Sequence, residues 1–394
     1  MRNKMMAVVA MVAGLMLGAS VQAKAAEGSA TRPAAGANRY PARQFNSQLR
    51  FRVFAYVDGK AMSVGETPSA KPLEIPACQT WLVAPERLTA EVAAEIRAQS
   101  IPTVDFSSSE VTDEELVFLR GLTTLRGLDL ARAHVTDDGL VHLKDLTGLE
   151  GLVLSSTLVT DVGLAHIKGL TGLLSLSLGG AKVTDTGLMY LKDLTGLQDL
   201  ALYRTYVTDA GLVHLTGLTR LQGLSLSGTK VTDVGVAHLK GLMALRSLDL
   251  GGTKVTDVGL MHLKELTALE WLDLSNTGVT DTSLEQLKEM SGLDTLYLAG
   301  TSLTDAGMPY LDTLTRLRVL AIGGTKVTDV GLARIVDMKG LQMLFLDRTQ
   351  VTDGGLAHVG RLTGLRVLNL IETKVTDEGV AELRKVLPSC EIRK

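Results

Sequence analysis

Apolar residues recur along most of the chain with a fixed period of 24 residues, and each period combines two different spacings. The first spacing is Leu-x-x-Leu-x-Leu, in which Leu152 and Leu154 share one face of an extended strand. The second spacing separates Leu164 from Ile167 by three residues, as on the inward face of a short helix. Each period therefore predicts one short strand followed by one short helix.

The tripeptide Val-Thr-Asp marks the same place in each period. Leu303 is the only replacement within it, and no insertion disturbs the register. A unit of this length cannot bury its apolar side alone, so neighbouring units must stack. The pattern predicts about twelve stacked repeats over residues 101–394. The repeated threonines are Thr112, Thr136, Thr160, Thr184, Thr208, Thr232, Thr256, Thr280, Thr304, Thr328, Thr352 and Thr376.

The polar residues of the unit have predicted local roles. Thr157 follows the strand, where its hydroxyl is expected to bond backbone groups of the turn. Thr160 and Asp161 precede the helix, and we predict that both side chains accept hydrogen bonds from its free amides. Capping and the helix dipole also explain why an aspartate recurs at the equivalent position of successive repeats, from Asp113 to Asp377. We prefer this interpretation to calcium binding, which needs several converging oxygens.

The motif Val-Thr-Asp-x-Gly-Leu-x-x-Leu resembles the leucine-rich repeats of F-box-type and ribonuclease-inhibitor-like proteins. Its version with Thr at position 157 looks like repeats of exported bacterial proteins, especially from planctomycete-like bacteria. The ending Leu387-Pro388-Ser389-Cys390-Glu391-Ile392 is similar to a closing strand of that family. The resemblance implies an α/β solenoid, or horseshoe, with parallel strands on the concave face and short helices on the convex face. No F-box-like segment precedes the repeats, so a ubiquitin-adaptor role is not implied.

The chain begins with a pattern typical of export. Residues 1–26 combine Arg2 and Lys4, an apolar run and small-x-small cleavage sites, so we predict a signal peptide. The apolar run is short for a membrane span, and we expect no transmembrane segment in the mature chain. Residues 27–44 are rich in Ala, Gly and Pro and are predicted to form a flexible linker. The expected location is periplasmic, secreted or cell-surface.

Residues 45–100 are predicted to form a small amino-terminal cap that covers the first repeat. Alternating apolar residues up to Val57, followed by Asp58-Gly59, predict a hairpin that returns over residues 60–64. Residues 65–86 contain several prolines and show no clear element. Thr89 is the predicted cap of the helix that follows.

Composition limits the classes of function. The net charge of -3 provides no strong field for nucleic acid, and we expect no nucleic-acid partner. Aromatic residues make up only 4% of the chain, which fits a core of stacked Leu and Val. The two cysteines, Cys78 and Cys390, lie on opposite sides of the repeats and are interpreted as small buried hydrophobic residues rather than a disulfide.

Large side chains occupy the exposed strand positions mainly in the later repeats. In the first half these positions are mostly small, as at Gly127, Gly151 and Ser175. Aromatic anchors beside a few charges are typical of binding hot spots, so we predict a contact surface on the concave sheet of the second half. Scattered apolar residues on a broad sheet without any role are the alternative. The predicted partner-binding residues are Trp271, Asp273, Tyr297, Val319, Met343, Phe345, Asp347, Arg348 and Ile371.

Histidines recur at one equivalent helix position in several repeats, and such a set of equivalent residues is called a column. A metal site or a pH sensor would use such residues. The same position accepts Tyr, Gln and Arg in other repeats, and no accompanying ligands are evident, so we predict packing residues and no metal site. The column consists of His142, His166, His214, His238, His262 and His358.

Nothing in the sequence predicts catalysis. The hydrolase, phosphate-loop, zinc-protease and dinucleotide motifs are missing from the chain. Columns repeat one chemistry along a line, whereas an active site needs different groups around one point. We therefore predict a non-catalytic module without a cofactor that binds a protein or peptide. A structural cell-surface scaffold or a glycan-binding envelope component is the alternative.

Overall fold

The computed structural model describes residues 39–58 and 60–394. The predicted signal peptide and the linker up to residue 38 lie outside these residues. The described chain forms two compact units, one ending at Ser225 and one spanning Leu226–Lys394.

The first unit begins with the cap. Strand β2 (Phe51–Val57) pairs antiparallel with β3 (Lys60–Thr67), which confirms the predicted hairpin. The structure also contains β5 (Thr80–Pro85), a buried strand that pairs antiparallel with β2 and parallel with the first repeat strand. Strand β5 thus joins the cap sheet to the repeats. Helix α1 (Ala90–Ala98) begins at the predicted cap, where Thr89 accepts a hydrogen bond from the Val92 amide at 3.3 Å.

The linker boundary at residue 44 is wrong. Strand β1 (Arg43–Phe45) pairs antiparallel with β4 (Leu73–Ile75). Ahead of it, the Tyr40 amide donates to the Cys78 carbonyl at 3.0 Å, and the Arg39 guanidinium bonds both Glu150 carboxylate oxygens at 2.6 and 2.8 Å. Backbone pairing and a bidentate ion pair thus fix residues 39–44 against the first unit, although their composition suggests a linker.

Six parallel repeat strands complete the sheet of the first unit, in chain order from β5 outward. They are β6 (Thr103–Asp105), β7 (Gly127–Asp129), β8 (Gly151–Val153), β9 (Ser175–Ser177), β10 (Asp199–Ala201) and β11 (Gly223–Ser225). Short helical segments return the chain between strands. The α-helices span Asp137–Leu140, Asp161–Ile167, Asp185–Leu188 and Asp209–Leu212, and 3-10 turns span Glu115–Leu119 and Val213–Leu215.

The second unit repeats this arrangement with seven parallel strands. They are β12 (Ser247–Asp249), β13 (Trp271–Asp273), β14 (Thr295–Tyr297), β15 (Val319–Ala321), β16 (Met343–Phe345), β17 (Val367–Asn369) and β18 (Glu391–Arg393). The α-helices span Asp233–Val236, Asp257–Leu260, Asp281–Leu287, Asp329–Leu332, Asp353–Val359 and Asp377–Val386, and 3-10 turns span Ala237–Leu239 and Met308–Thr313.

The core of each unit consists of the apolar positions that the repeat pattern marks. Leu152 and Leu154 of the strand and Leu164 and Ile167 of the helix have no exposed surface. In this sheet, residues that alternate with the core leucines point to the opposite face, which we call the open face. A strand of three residues places two side chains on the open face, so register alone aligns them into rows.

The threonines of Val-Thr-Asp cap the α-helices as predicted, but the aspartates do not cap their own helices. Thr160 accepts from the Val162 amide of its own helix at 3.3 Å. Asp161 instead accepts from the next repeat: its Oδ1 binds the Thr184 amide at 2.8 Å and its Oδ2 binds the Thr184 hydroxyl at 2.5 Å. The aspartates therefore join successive repeats into what we call the Asp–Thr ladder. Within its own turn, the Thr157 hydroxyl donates to the Leu154 carbonyl, as predicted.

The ladder runs through both units. In the first unit it pairs Asp113 with Thr136, Asp137 with Thr160, Asp161 with Thr184 and Asp185 with Thr208. In the second unit it pairs Asp233 with Thr256, Asp257 with Thr280, Asp281 with Thr304, Asp305 with Thr328, Asp329 with Thr352 and Asp353 with Thr376. The last aspartate, Asp377, binds the Lys394 ammonium group instead.

The glycine of Val-Thr-Asp-x-Gly has a steric explanation in the ladder. A Cβ on Gly211 would lie 2.5 Å from Oδ1 of Asp185, the carboxylate that reaches over from the preceding repeat. Only a residue without a side chain fits there unless the carboxylate moves. Ser283 replaces the glycine in one repeat, and its hydroxyl donates directly to the ladder carboxylate of Asp257.

Candidate functional site

Two rows of side chains cover the open face of the second unit. The first residues of strands β12 to β18 form one row and the third residues form the other, because neighbouring strands pair without a shift in register. The first row reads Ser247, Trp271, Thr295, Val319, Met343, Val367 and Glu391. The second row reads Asp249, Asp273, Tyr297, Ala321, Phe345, Asn369 and Arg393.

An aromatic pair stands at the amino-terminal side of this face. The rings of Trp271 and Tyr297 have centroids 5.6 Å apart and an interplanar angle of 53°, a tilted contact across β13 and β14. Both side chains are half-buried. Asp273 lies in register beside Tyr297 and two residues after Trp271. The sequence-predicted aromatic and acidic residues are therefore brought together here.

Burial changes the acidity of the two polar groups in this corner. Burial raises the pKa of Asp273, although hydrogen bonds from Ser275 oppose the shift. The amide of Ser275 donates to Asp273 Oδ1 at 2.7 Å. Burial, together with the Asp273 charge, raises the pKa of the Tyr297 hydroxyl. The carboxylate and the phenol thus share a poorly hydrated environment.

A second apolar group lies further along the face. Met343 and Phe345 are half-buried residues of β16, and Ile371 beyond β17 is 42% exposed. Ala321 separates Phe345 from Tyr297 in the second row. Ala321 itself is only 4% exposed, so little of this short side chain is accessible between its two aromatic neighbours.

The prediction that Val319 is an exposed contact residue is wrong. It is only 1% exposed, in register between Thr295 and Met343. A short branched side chain with a neighbour about 4.8 Å away on each side is readily covered. Val319 therefore supports the floor of the face, and the exposed apolar surface is narrower than the sequence predicts.

The charged candidates are engaged with neighbours. Asp347 Oδ1 accepts from the side-chain amide of Asn369 at 3.1 Å. Arg348 is exposed, and its Nε donates to Glu372 at 2.8 Å. Arg348 has a φ of 57° and Glu372 a φ of 58°, whereas Gly300 and Gly324 occupy the same position in two earlier repeats. Non-glycine residues are uncommon in this conformation, so Arg348 and Glu372 adopt it at some conformational cost.

The open face of the first unit is lined by small side chains. Ser155 and Ser177 share a hydrogen bond of 2.6 Å between their hydroxyls. Tyr203 is the large exception, and its ring lies so close to Gly179 that any side chain there would clash. This contrast with the second unit follows the sequence prediction of small residues in the first half.

Asp199 lies among these small residues with an unusual environment. Register places it between Ser175 and Gly223 on β10. Its side chain is fully buried, and neither carboxylate oxygen has a hydrogen-bond partner within residues 39–58 and 60–394. Burial raises the pKa of this carboxyl to about 7. Asp199 was not among the predicted site residues, although a lone acid among the Gly and Ser residues at equivalent strand positions was the available signal.

Two further buried carboxyls lie next to one another in the first unit. Asp105 and Asp129 are paired in register on β6 and β7. Each accepts a turn amide, Asp105 from Ser107 and Asp129 from Ala131, both at 2.7 Å. Burial, followed by the charge of Asp105, raises the pKa of Asp129 well above its ordinary range. Their bonds to the turns explain both residues as structural elements of the first repeats.

The histidine column is half-buried along the helices. In its first member, Nδ1 of His142 accepts from Arg120 Nε at 3.0 Å. Burial and the Arg120 charge lower the pKa of His142. Among the described residues, no group of three or more His, Cys, Asp or Glu side chains is placed to hold a metal ion. The two cysteines are free and buried, as the sequence predicts, and burial raises the pKa of each thiol to about 11.

Three residues of the open face were overlooked in the sequence. Asp249, Asn369 and Glu372 occupy the same columns as predicted site residues but were not singled out. Comparing every repeat at the column of Asp273 would have found Asp249 and Asn369. Their roles depend on which neighbouring side chain each one contacts, and the alignment of equivalent positions does not give these contacts.

The repeated strand, turn and short helix of both units match a known family. A family profile described as Leucine rich repeat matches residues 219–279, and another with the same description matches residues 121–144. The repeats have the leucine-rich-repeat fold. This confirms the fold class predicted from the sequence.

Solved structures with leucine-rich repeats share the fold. An internalin from Listeria monocytogenes is 23% identical, with a TM-score of 0.59 over 77% of this chain and 88% of that one. A leucine-rich-repeat protein from Leptospira interrogans is 18% identical, with a TM-score of 0.50 over 79% of this chain and 89% of that one. No curated protein matches the sequence. At these identities the similarity extends to the fold alone.

Within the described part of the chain, every helix is too short or too polar to cross a membrane.

Proposed function

We propose that this protein is a non-catalytic interaction module that binds a protein or peptide on the open face of its second unit. Leucine-rich-repeat folds commonly mediate protein–protein interaction, and the fold by itself does not specify a partner. The observation that carries the proposal is the asymmetry between the two open faces. One is lined by small residues, whereas the other presents Trp271, Tyr297, Met343 and Phe345.

The composition of the proposed surface fits hot-spot recognition. Tyr297 and Phe345 lie on either side of Ala321 in one row, so a partner would meet two aromatic side chains on neighbouring parts of the face. Asp347 and Arg348 lie beside Ile371 toward the later edge of the apolar area, where the two charges would form part of a polar rim. Interfaces typically combine a buried aromatic centre with such a rim.

Absence of catalysis is part of this proposal. The rows along the open face repeat similar groups along a line and do not surround one reacting point. The proposal also includes export, which rests on the sequence of residues 1–26 alone. Assignment to the ribonuclease-inhibitor-like subtype is likewise proposed, based on the short helices that alternate with the strands.

The first prediction concerns the aromatic residues. Changing Trp271, Tyr297 and Phe345 together to Ala is expected to weaken partner binding at least 100-fold, because truncating one hot-spot residue typically costs about 2 kcal/mol. The measurement is quantitative proteomics of proteins retained by the immobilised protein from envelope and secreted fractions, followed by affinity measurement with the purified partner.

A matched control removes equally large side chains elsewhere. Tyr206, Met261 and Tyr310 are exposed but lie outside the two rows, and their triple Ala variant should keep the interaction. Circular dichroism must first show that both variants are folded. Retention of the same partners by the aromatic variant would disprove the proposed surface. Recovery of only the protein itself would favour a structural scaffold, and selective capture of oligosaccharides would favour a glycan-binding component.

A further inference from the structure

Two carboxylates meet in front of a glycine at one end of the proposed contact surface. A Cβ on Gly251 would lie 3.3 Å from Oδ1 of Asp249 and 3.5 Å from Cγ of Asp273. The Ser227 hydroxyl oxygen lies 3.4 Å from the same point, and Gly251 places no side chain between these three polar groups. Asp249 Oδ1 also accepts from the Gly251 amide at 3.0 Å, which holds this carboxylate in place.

Aromatic rings border the same space. Asp273 is flanked in its row by Asp249 and Tyr297, and Trp271 precedes it by two residues on the same face of β13. The tilted contact between Trp271 and Tyr297 fixes both rings. The corner therefore combines two carboxylates with two aromatic rings.

Asp273 has no ion-pair partner of opposite charge. Within residues 39–58 and 60–394, none of the ion pairs includes it. Arg246 of the neighbouring repeat is already bonded to Glu270 at 2.6 Å. The amide and the side chain of Ser275 both hydrogen-bond to the Asp273 carboxylate, and neither group carries a positive charge. Partial burial of such a charge is unfavourable until a cation joins it.

We propose that this corner, formed by Asp249, Gly251, Trp271, Asp273 and Tyr297, binds an arginine side chain of the partner polypeptide. The inference rests on the proposed function and specifies the partner's chemistry at one end of the surface. A guanidinium is planar, so it can stack on an aromatic ring while its N–H groups donate to a carboxylate. A lysine ammonium lacks the flat surface and is more strongly hydrated.

The experiment uses the full chain and three synthetic peptides. The probe is acetyl-Gly-Ser-Arg-Ser-Gly-amide, and matched peptides carry citrulline or lysine in place of arginine. Citrulline has nearly the same shape as arginine but no charge. Binding is followed by tryptophan fluorescence, because Trp271 lies in the corner and the other tryptophan, Trp81, is fully buried in the cap.

The arginine peptide is expected to bind at least tenfold more tightly than the citrulline peptide, with lysine between them, and to weaken as salt is raised. Asp273→Asn should remove about tenfold of the affinity for the arginine peptide and leave the citrulline peptide unaffected. Asn keeps the oxygen that accepts the Ser275 amide, so this variant should stay folded. Asp337→Asn, at an exposed position outside the rows, is the charge-matched control.

Equal binding of the arginine and citrulline peptides would overturn the inference, as would an unchanged affinity in Asp273→Asn. Failure here is distinguishable from failure of the proposed function. If the triple aromatic variant loses its protein partner but Asp273→Asn does not weaken that complex, the surface is correct and the arginine site is wrong. If neither variant affects capture, the surface itself is wrong.

Discussion

Asn in place of Asp199 is expected to stabilise the protein at pH 8 and to have little effect at pH 4. Asp199 is buried without a hydrogen-bond partner among the described residues, and its pKa is raised from the ordinary value of 3.8 to about 7. A shift of this size corresponds to at most about 4 kcal/mol at pH values above 7. Asn has nearly the same shape and never acquires the buried charge.

The pH window follows from the direction of the shift. Between pH 4 and pH 7 the folded protein retains a proton on Asp199 that the unfolded chain has lost, so wild-type stability falls as the pH rises. Above pH 7 both states are ionised and the loss is complete. The difference between Asp199→Asn and wild type should therefore grow from pH 4 to pH 7 and then level off.

Urea unfolding at pH 4, 6 and 8 tests this prediction. The other carboxyls titrate equally in both proteins, so their contributions cancel in the difference. Asp193→Asn provides a control, because Asp193 is an exposed acid close by in sequence. An Asp199→Asn variant that is no more stable than wild type at pH 8 would show that the carboxylate has access to water or to a cation.

The second large effect concerns the Asp–Thr ladder. Asp185→Ala is expected to lower the free energy of unfolding by about 2–4 kcal/mol, because it leaves the Thr208 amide and hydroxyl without their charged acceptor. Gly211→Ala is expected to lower it by about 1–3 kcal/mol through steric conflict with the same carboxylate. Helix propensity alone would give the opposite sign, since Ala is favoured over Gly by about 1 kcal/mol.

A double-mutant cycle separates the two causes. Removing the Asp185 carboxylate also removes the atom that a Cβ at Gly211 would meet, so the combined variant should lose less than the sum of the single losses. Denaturant unfolding of all four proteins gives the coupling energy, and Asp193→Ala controls for loss of a nearby carboxylate. Strict additivity would mean that the glycine is required for another reason.

Most of the fold follows from the sequence because one local pattern is repeated. The spacing of Leu152 and Leu154, and of Leu164 and Ile167, specifies which residues are buried in a unit that cannot fold alone. Strand β5 was not predicted because its residues form one short apolar run among prolines, without an alternation that distinguishes a strand from a loop. Its pairing with β2 and β6 is a tertiary property.

The site was less predictable than the fold. Columns place Trp271 and Tyr297 on one face, but the covering of Val319 depends on the side chains beside it in neighbouring strands. The ladder was misassigned for a related reason. Asp161 stands at a helix start, where capping is the usual explanation, yet its partner is Thr184 in the next repeat. Local sequence rules describe neighbours along the chain, whereas these contacts link neighbours in the stack.

The ladder also bears on how such a chain can change its length in evolution. Within a unit, an inner repeat supplies a carboxylate to the following repeat and receives one from the preceding repeat, as shown by the pairs Asp161–Thr184 and Asp185–Thr208. Recombination that duplicates or deletes one whole period of 24 residues therefore leaves every donor matched to an acceptor. A change by any other number of residues breaks the bond at the junction. Genes encoding such proteins should thus gain and lose whole periods readily, and tolerate partial ones only at the caps.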